Sequence, residues 1–221
     1  MQSALIIGAS GGIGSALSAA LAARGLAVTG LSRRDDGLDV TVESSVSAAL
    51  GRLAGPFDLI IVATGALELN GQGPEKSLRH LTPEAMLNQF RLNCVGPALV
   101  LKHGRRLLPR ARRSVFAALS ARVGSIGDNR LGGWYSYRTA KAALHQMIHT
   151  GAIELARTHP QAICIALHPG TVQTPLTENH ARGHPTVAPG QAARNLLAVI
   201  DGLTPEETGL FFDWRGARVP W

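Results

Sequence analysis

Cysteine is nearly missing: Cys94 and Cys164 are the only two in 221 residues. Both sit in apolar surroundings without metal-ligand spacing, so two reduced, buried thiols are expected rather than a disulfide, a metal site or a nucleophile. Long apolar runs are missing too. Stretches such as 4–7 and 59–63 are far too short to span a bilayer, and no basic-then-apolar leader precedes the first of them. A soluble, cytoplasmic protein with no membrane partner is therefore expected. Aromatic residues are scarce, at 5%, and acidic residues are outnumbered 15 to 22 by basic ones, which leaves a net charge of +7. Such an excess can signal a nucleic-acid partner. Here the densest basic run (Lys102, Arg105, Arg106, Arg110, Arg112 and Arg113) has no interleaved aromatics and no nucleic-acid motif. It reads as a solvated helix end, with part of the positive charge available to a phosphorylated cofactor.

What is present suits one globular domain over residues 1–221, 45% hydrophobic and 17% charged, without internal repeats or low-complexity tracts. A β-favouring run at 3–7 meets Gly8-Ala9-Ser10-Gly11-Gly12-Ile13-Gly14, and an alanine- and leucine-rich helical pattern follows over 15–24. Strand, glycine turn and helix in that order make an anion site. Gly8 permits the tight turn, Gly12 lets a pyrophosphate approach the backbone, and Gly14 lets the helix pack on the strand, with the helix N-terminus facing the anion. A second strand over 26–31 ends in Ser32-Arg33-Arg34. Arginine at such a strand end favours the 2′-phosphate of NADP(H). Asp35 and Asp36 lie just beyond, so NAD(H) stays open.

Residues 38–41 read as a brief third strand and 44–53 as a helix. The continuous apolar run at 59–63 reads as a strand buried on both faces, ending at Thr64-Gly65, where small residues allow a ligand to approach. A loop is expected over 67–80, then a helix from Thr82 to about residue 108 with Pro97 as a bend and Asn93 inside it. Strands follow at 114–119, 162–167 and 209–213, and helices run to about residue 158 and over 191–200. The alternation predicts an α/β fold: a doubly wound, mostly parallel sheet with helices on both faces.

Within the helix that ends near residue 158, Tyr137 and Lys141 are four apart and project from one face. A phenol titrates near ~10, and a nearby ammonium favours its ionised form, which makes the proton easier to give up. Tyr135 has Thr139 at the same spacing and lacks this arrangement.

Taken in order, Gly8-x-x-x-Gly12-x-Gly14, Asp39, Asn93, Tyr137-x-x-x-Lys141 and Pro169-Gly170 resemble the short-chain dehydrogenase/reductase family over essentially the whole chain. Residues 123–129, 132–138 and 211–221 look like its branch of bacterial C-factor proteins and sniffer-type carbonyl reductases. The resemblance implies that Tyr137 donates a proton to a carbonyl oxygen while the nicotinamide delivers hydride. Lys141 would lower the tyrosine pKa and bind the nicotinamide ribose, and Asn93 would help hold a relay water. Asp39 and Val40 would contact adenine, Ala63, Thr64 and Gly65 would line the adenosine ribose, and Thr174, after Pro169, Gly170 and Val172, would bond the carboxamide. Ser10, Gly11 and Ile13 complete the implied cofactor contacts. The family's substrate-orienting serine position reads Ala121-Arg122-Val123-Gly124, so Ser120 or Ser125 would stand in, with Ser120 favoured because it directly follows the strand. Residues 177–187, with His180, His184 and Pro185, would cover the substrate as a contact or a lid. A small carbonyl or alcohol substrate, and pairing into a dimer or tetramer, are implied as well. The altered serine position keeps a cofactor-binding regulatory or signalling protein as the alternative.

Overall fold

The computed structural model describes residues 1–178 and 185–221. In chain order it has β1 (Ser3–Ile7), α1 (Gly12–Ala23), β2 (Ala27–Leu31), the single turn α2 (Arg33–Asp36), α3 (Glu43–Gly51) and β3 (Leu59–Val62). Then come α4 (Pro83–Phe90), α5 (Gly96–Gly104), β4 (Ser114–Leu119), α6 (Tyr135–Ala156), β5 (Ala162–His168), α7 (Pro189–Gly202) and β6 (Phe211–Asp213). One six-stranded sheet, ordered β2-β1-β3-β4-β5-β6 and parallel throughout, carries helices on both faces. This is the expected doubly wound fold. Parallel strands covered on both faces need apolar residues at successive positions, and β3 and β4 are buried at every residue. Side chains alternate, so Leu5, Ile60 and Phe116 pack under α3, α5 and α6, while Ile6, Ile61 and Ile165 pack under α1 and α7.

The chain reverses its direction of growth between β1 and β3, and the crevice beyond their carboxyl ends is where a doubly wound sheet takes its ligand. Several segments with sequence-expected functional residues leave the sheet at this edge: 8–14 after β1, 32–34 after β2, 63–65 after β3, 120–125 after β4 and 169–174 after β5.

One local expectation is corrected. Residues 38–41 form no strand. Asp39 instead accepts bonds from the Thr41 amide (2.8 Å) and hydroxyl (2.7 Å), a local turn that competes with strand pairing. Leu38 and Val40 are buried all the same. The helix expected from Thr82 to about 108 is present, running through a π-helical turn at Arg91–Val95 between α4 and α5. Pro97 explains its place, since proline has no N–H to return to the carbonyl of Asn93 four residues back. The basic run is also less free than expected. Lys102 pairs with Glu43 (2.5 Å), Arg105 with Glu154 (2.8 Å) and Arg112 with Asp58 (2.7 Å). Arg106 and Arg113 donate to the carbonyls of Leu50 (2.6 Å) and Ile200 (2.7 Å). Both cysteines are free and buried, as expected, and burial pushes the thiols of Cys94 and Cys164 up to about 11 and about 12. Among the described residues no helix is long and apolar enough to cross a membrane.

Among the acidic partners of this basic run Asp58 is the buried one, accepting bonds from the Gln2 amide (2.5 Å) and from Arg112. Asp58→Ala is expected to cost about 1–3 kcal/mol in urea unfolding, because the Gln2 amide loses its acceptor. An unchanged midpoint would show that water replaces the carboxylate at no cost.

Candidate active site

The glycine turn closes tightly. Gly8 has φ +90°, and a side chain on Gly14 would place its Cβ 2.1 Å from the Gly8 carbonyl oxygen, so α1 can begin this close to β1 only with glycine there. Gly11 is the N-cap of α1 and offers no side chain, and the first turn holds no acidic residue. Among the described residues, then, no cap side chain takes the leading amides of the helix, at Gly12, Ile13 and Gly14, which face an external anion. Thr174 lies directly over this turn, its Cγ2 atom 2.8 Å from where a Gly12 side chain would begin. Ser10 lies in the turn between Gly8 and Gly11.

At the end of β2, Ser32 is buried and caps α2, accepting a bond from the Asp35 amide at 2.9 Å. Asp35 also takes the exposed Arg34 guanidinium at 2.9 Å, and Asp36 accepts from the Ser32 amide. The two acidic residues beyond the strand are thus occupied locally. Arg33 and Arg34 are both exposed. Val40 packs on the α5 start, its Cγ2 atom 2.9 Å from where a Gly96 side chain would begin.

A cavity of about 470 Å³ opens beside this crevice. Ala63, Thr64 and Gly65 line one side, Ser120, Tyr137 and Lys141 another, and Pro169, Gly170, Val172 and Thr174 a third. Asn93 is fully buried on the π-helical turn. Its amide nitrogen donates to the carbonyl of Ala66 (3.0 Å) and to Gln89 Oε1 (2.6 Å), which leaves Oδ1 without a partner among the described residues. That oxygen lies 2.9 Å, and Lys141 Nζ 3.6 Å, from the place a Gly65 side chain would occupy. Thr64 Oγ1 is another buried atom without a partner here. A glycine-floored helix N-terminus, followed by unpaired polar atoms at Thr64 in the cavity wall and at Asn93 behind Gly65, fits an elongated ligand with phosphate at one end and hydrogen-bonding groups at the other.

Lys141 is 3% exposed, donates to the carbonyl of Leu119 at 3.1 Å, and stands 5.8 Å from the Tyr137 ring centroid. Burial pulls its pKa down to about 8. Burial also raises the Tyr137 pKa. Loss of solvent sets the direction of that tyrosine shift.

Ser120 and Ser125 are separated by the structure. Ser120 lines the cavity, with Oγ 2.7 Å from His145 Nε2. Ser125 donates to the carbonyl of Pro220 (2.5 Å) and accepts from the Asp128 amide, so it anchors the C-terminal segment. His145 packs against both Phe211 and Trp221, with ring centroids at 4.1 and 5.4 Å, and burial pushes it down to about 3, so it is neutral. His168 also lines the cavity and is held down to about 4 by burial. Sequence reasoning missed Gln89 and His145, although each stands one helical turn from an expected residue, Asn93 and Lys141 respectively. It missed Trp134 and His168 as cavity walls for want of any periodic signal. Pro185 lies within the described residues; His180 and His184 lie outside them.

A family profile described as enoyl-(acyl carrier protein) reductase matches residues 8–209. The chain is 32% identical over 237 aligned residues to a 1-hydroxy-2-glutathionyl-2-methyl-3-butene dehydrogenase of Rhodococcus sp. (strain AD45), covering 100% of both. It is 34% identical over 171 residues to the C-signal protein of Myxococcus xanthus, covering 76% of this chain and 94% of that one. Two solved structures share the fold: the carbonyl reductase Sniffer of D. melanogaster (TM-score 0.83, 18% identity, 100% of each chain) and a short-chain dehydrogenase/reductase of Burkholderia multivorans with bound NADP (TM-score 0.81, 24% identity, 100% and 99%). With this sheet order, this glycine turn and a profile match over most of its length, the chain belongs to the short-chain dehydrogenase/reductase family of oxidoreductases.

Proposed function

We propose that the protein is an NADP(H)-dependent oxidoreductase that interconverts a small carbonyl compound and its alcohol, acting as one cofactor-binding and catalytic domain. The observation that carries this reading is the convergence of Tyr137, Lys141 and Ser120 at one cavity beside the glycine turn, with the unpaired Asn93 oxygen just behind Gly65 in its wall. Tyr137 donates its proton to the carbonyl oxygen of the substrate, or removes it from the alcohol. Ser120, its hydroxyl oriented by neutral His145, holds that same oxygen. Lys141 provides a positive charge that favours the phenolate once the proton has left, and bonds the ribose. Asn93 Oδ1 accepts a bond from a relay water. Reduced nicotinamide, when bound, supplies the hydride. The helix N-terminus at Gly12–Gly14 takes the pyrophosphate, Thr64 and Gly65 line the adenosine ribose, Asp39 and Val40 meet the adenine, and Thr174 bonds the carboxamide. Leu67, Leu131, Trp134 and Leu176 give the substrate end apolar walls.

Preference for NADP(H) rests on Arg33 and Arg34 at the end of β2, with Asp35 and Asp36 occupied by Ser32 and Arg34. The Burkholderia neighbour with bound NADP supports the same choice. A second copy of the chain is proposed to pair through α4, α5 and α6, where Phe90, Leu101 and Met147 line an open groove. One observation favours a second reading, a cofactor-binding signalling protein with little turnover: Ala121 stands at the family's serine position, and the similar Myxococcus protein is called C-signal.

NADPH oxidation over aldehydes, ketones, diketones and quinones separates the two readings, with NADPH consumption expected for the first and a flat trace beside tight NADPH binding for the second. Tyr137→Phe should lower kcat about 100-fold or more while NADPH still binds, as removal of a general acid does. A variant with most of its turnover intact would remove Tyr137 from the chemistry. Arg33→Ala should raise KM for NADPH by about 10- to 100-fold with little change for NADH, since it deletes charge-assisted bonds to the 2′-phosphate. Equal effects on both cofactors would place the arginine elsewhere. Size-exclusion chromatography with light scattering should show a dimer or tetramer, lost on Met147→Arg; a monomeric wild type would end the pairing proposal.

A further inference from the structure

Helix α6, which carries Tyr137 and Lys141, begins without a cap of its own. Its N-cap residue is Trp134, with φ +55° and ψ +39°, in the left-handed region, and its side chain makes no capping bond. The two residues before it, Gly132 and Gly133, are left-handed as well, with φ of +64° and +66°. A bulky aromatic residue adopts that conformation only where its surroundings over-determine it.

Those surroundings are two clamps. On one side Arg138 donates to the carbonyls of Gly133 (2.9 Å), Gly132 (3.0 Å) and Val123 (3.0 Å). On the other stands Glu75, some sixty residues upstream in the loop between β3 and α4. Its backbone carbonyl accepts from the Trp134 amide at 2.5 Å, and its carboxylate accepts from the Ser136 amide (3.1 Å) and from the Ser136 hydroxyl. Glu75 is 7% exposed, and among the described residues it makes no ion pair with a lysine or arginine. A buried carboxylate of this kind is held by the helix N-terminus it caps.

The same loop reaches the second half of the site. The carbonyls of Ala66 and Leu67 accept from Asn93 Nδ2 (3.0 Å) and Gln89 Nε2 (2.8 Å). Gln89, Glu75 and Tyr137 face one small cavity. One loop therefore grips the π-helical turn with Asn93 at one end and the helix with Tyr137 at the other.

We propose that Glu75 is a positioning residue: by capping α6 from the loop after β3 it sets Tyr137 against Asn93 and the substrate oxygen. This rests on the reading of Tyr137 as proton donor. A lost cap removes only a small part of a domain's stability, so the variants should stay folded, whereas small displacements of a proton donor fall directly on turnover.

The test compares wild type with Glu75→Ala, the near-isosteric Glu75→Gln, Ser136→Ala and the Glu75→Ala/Ser136→Ala pair. It measures kcat, KM and NADPH affinity well below the melting temperature, together with amide exchange over residues 134–141. Glu75→Ala is expected to lower kcat about 10- to 100-fold with KM and NADPH affinity little changed. Glu75→Gln should recover part of the loss, since its carbonyl still accepts the Ser136 amide, and the double variant should be no slower than Glu75→Ala alone. Faster exchange at the start of α6 with unchanged kcat would overturn the proposal. So would a fall in all parameters in proportion to the folded fraction. A wild type without turnover would defeat the proton-donor reading itself and the positioning role with it, while the exchange data would still report the cap; that outcome is distinct from an active wild type with unaffected variants.

Discussion

A lysine ammonium with almost no access to water organises the catalytic side of this protein. Lys141 is 3% exposed, and its hydrogen bond to a protein atom goes to the carbonyl of Leu119, the last residue of β4. Among the described residues no carboxylate pairs with it. Burying a cation under these conditions costs free energy, visible in a pKa drawn down to about 8, and the surrounding structure must hold it in place. The long helix α6 does so by packing against α4, β5 and the π-helical turn. The unpaired oxygen of Asn93 and the ring of Tyr137 are placed around the same charge, and its field helps keep His145 neutral, second to burial.

The cofactor side is organised by backbone rather than by a side-chain charge. Gly8 and Gly14 bring β1 and α1 so close that any side chain on Gly14 would collide with the carbonyl of Gly8, and the helix thereby points its uncapped amides into the crevice between β1 and β3. An anion placed there meets a helix N-terminus with no competing acidic residue in the first turn. The two halves of the site thus favour ligand charge of one sign by different means, a helix end on one side and a buried ammonium on the other.

Between them sits the π-helical turn at Arg91–Val95. Pro97 cannot return a hydrogen bond to Asn93, and the resulting irregularity lets Asn93 turn fully inward while α4 and α5 continue on either side. Its amide is oriented by Gln89 and the loop after β3, so the free oxygen is the one left over once both N–H bonds are made.

The fold class, five of the six strands nearly to the residue, the glycine turn and the Tyr137–Lys141 pair are legible in the amino-acid order because each rests on local rules: period-2 or continuous apolar runs, glycine where a turn demands it, and a spacing of four on a helix. The strand expected at 38–41 fails for a reason equally local but weaker to the eye, the bonds of Asp39 to Thr41. What no local rule contains is partnership at long range. Ser120 and Ser125 are chemically alike and five apart, and they differ because one meets His145 and the other meets Pro220. The cap of α6 comes from Glu75, the anchors of the basic run come from Asp58, Glu43 and Glu154, and the tyrosine pKa rises because the folded chain excludes water from it. Hydrogen-bond partners and solvent exposure are properties of surfaces brought together by folding, and they exist only once the sheet has closed its helices over both faces.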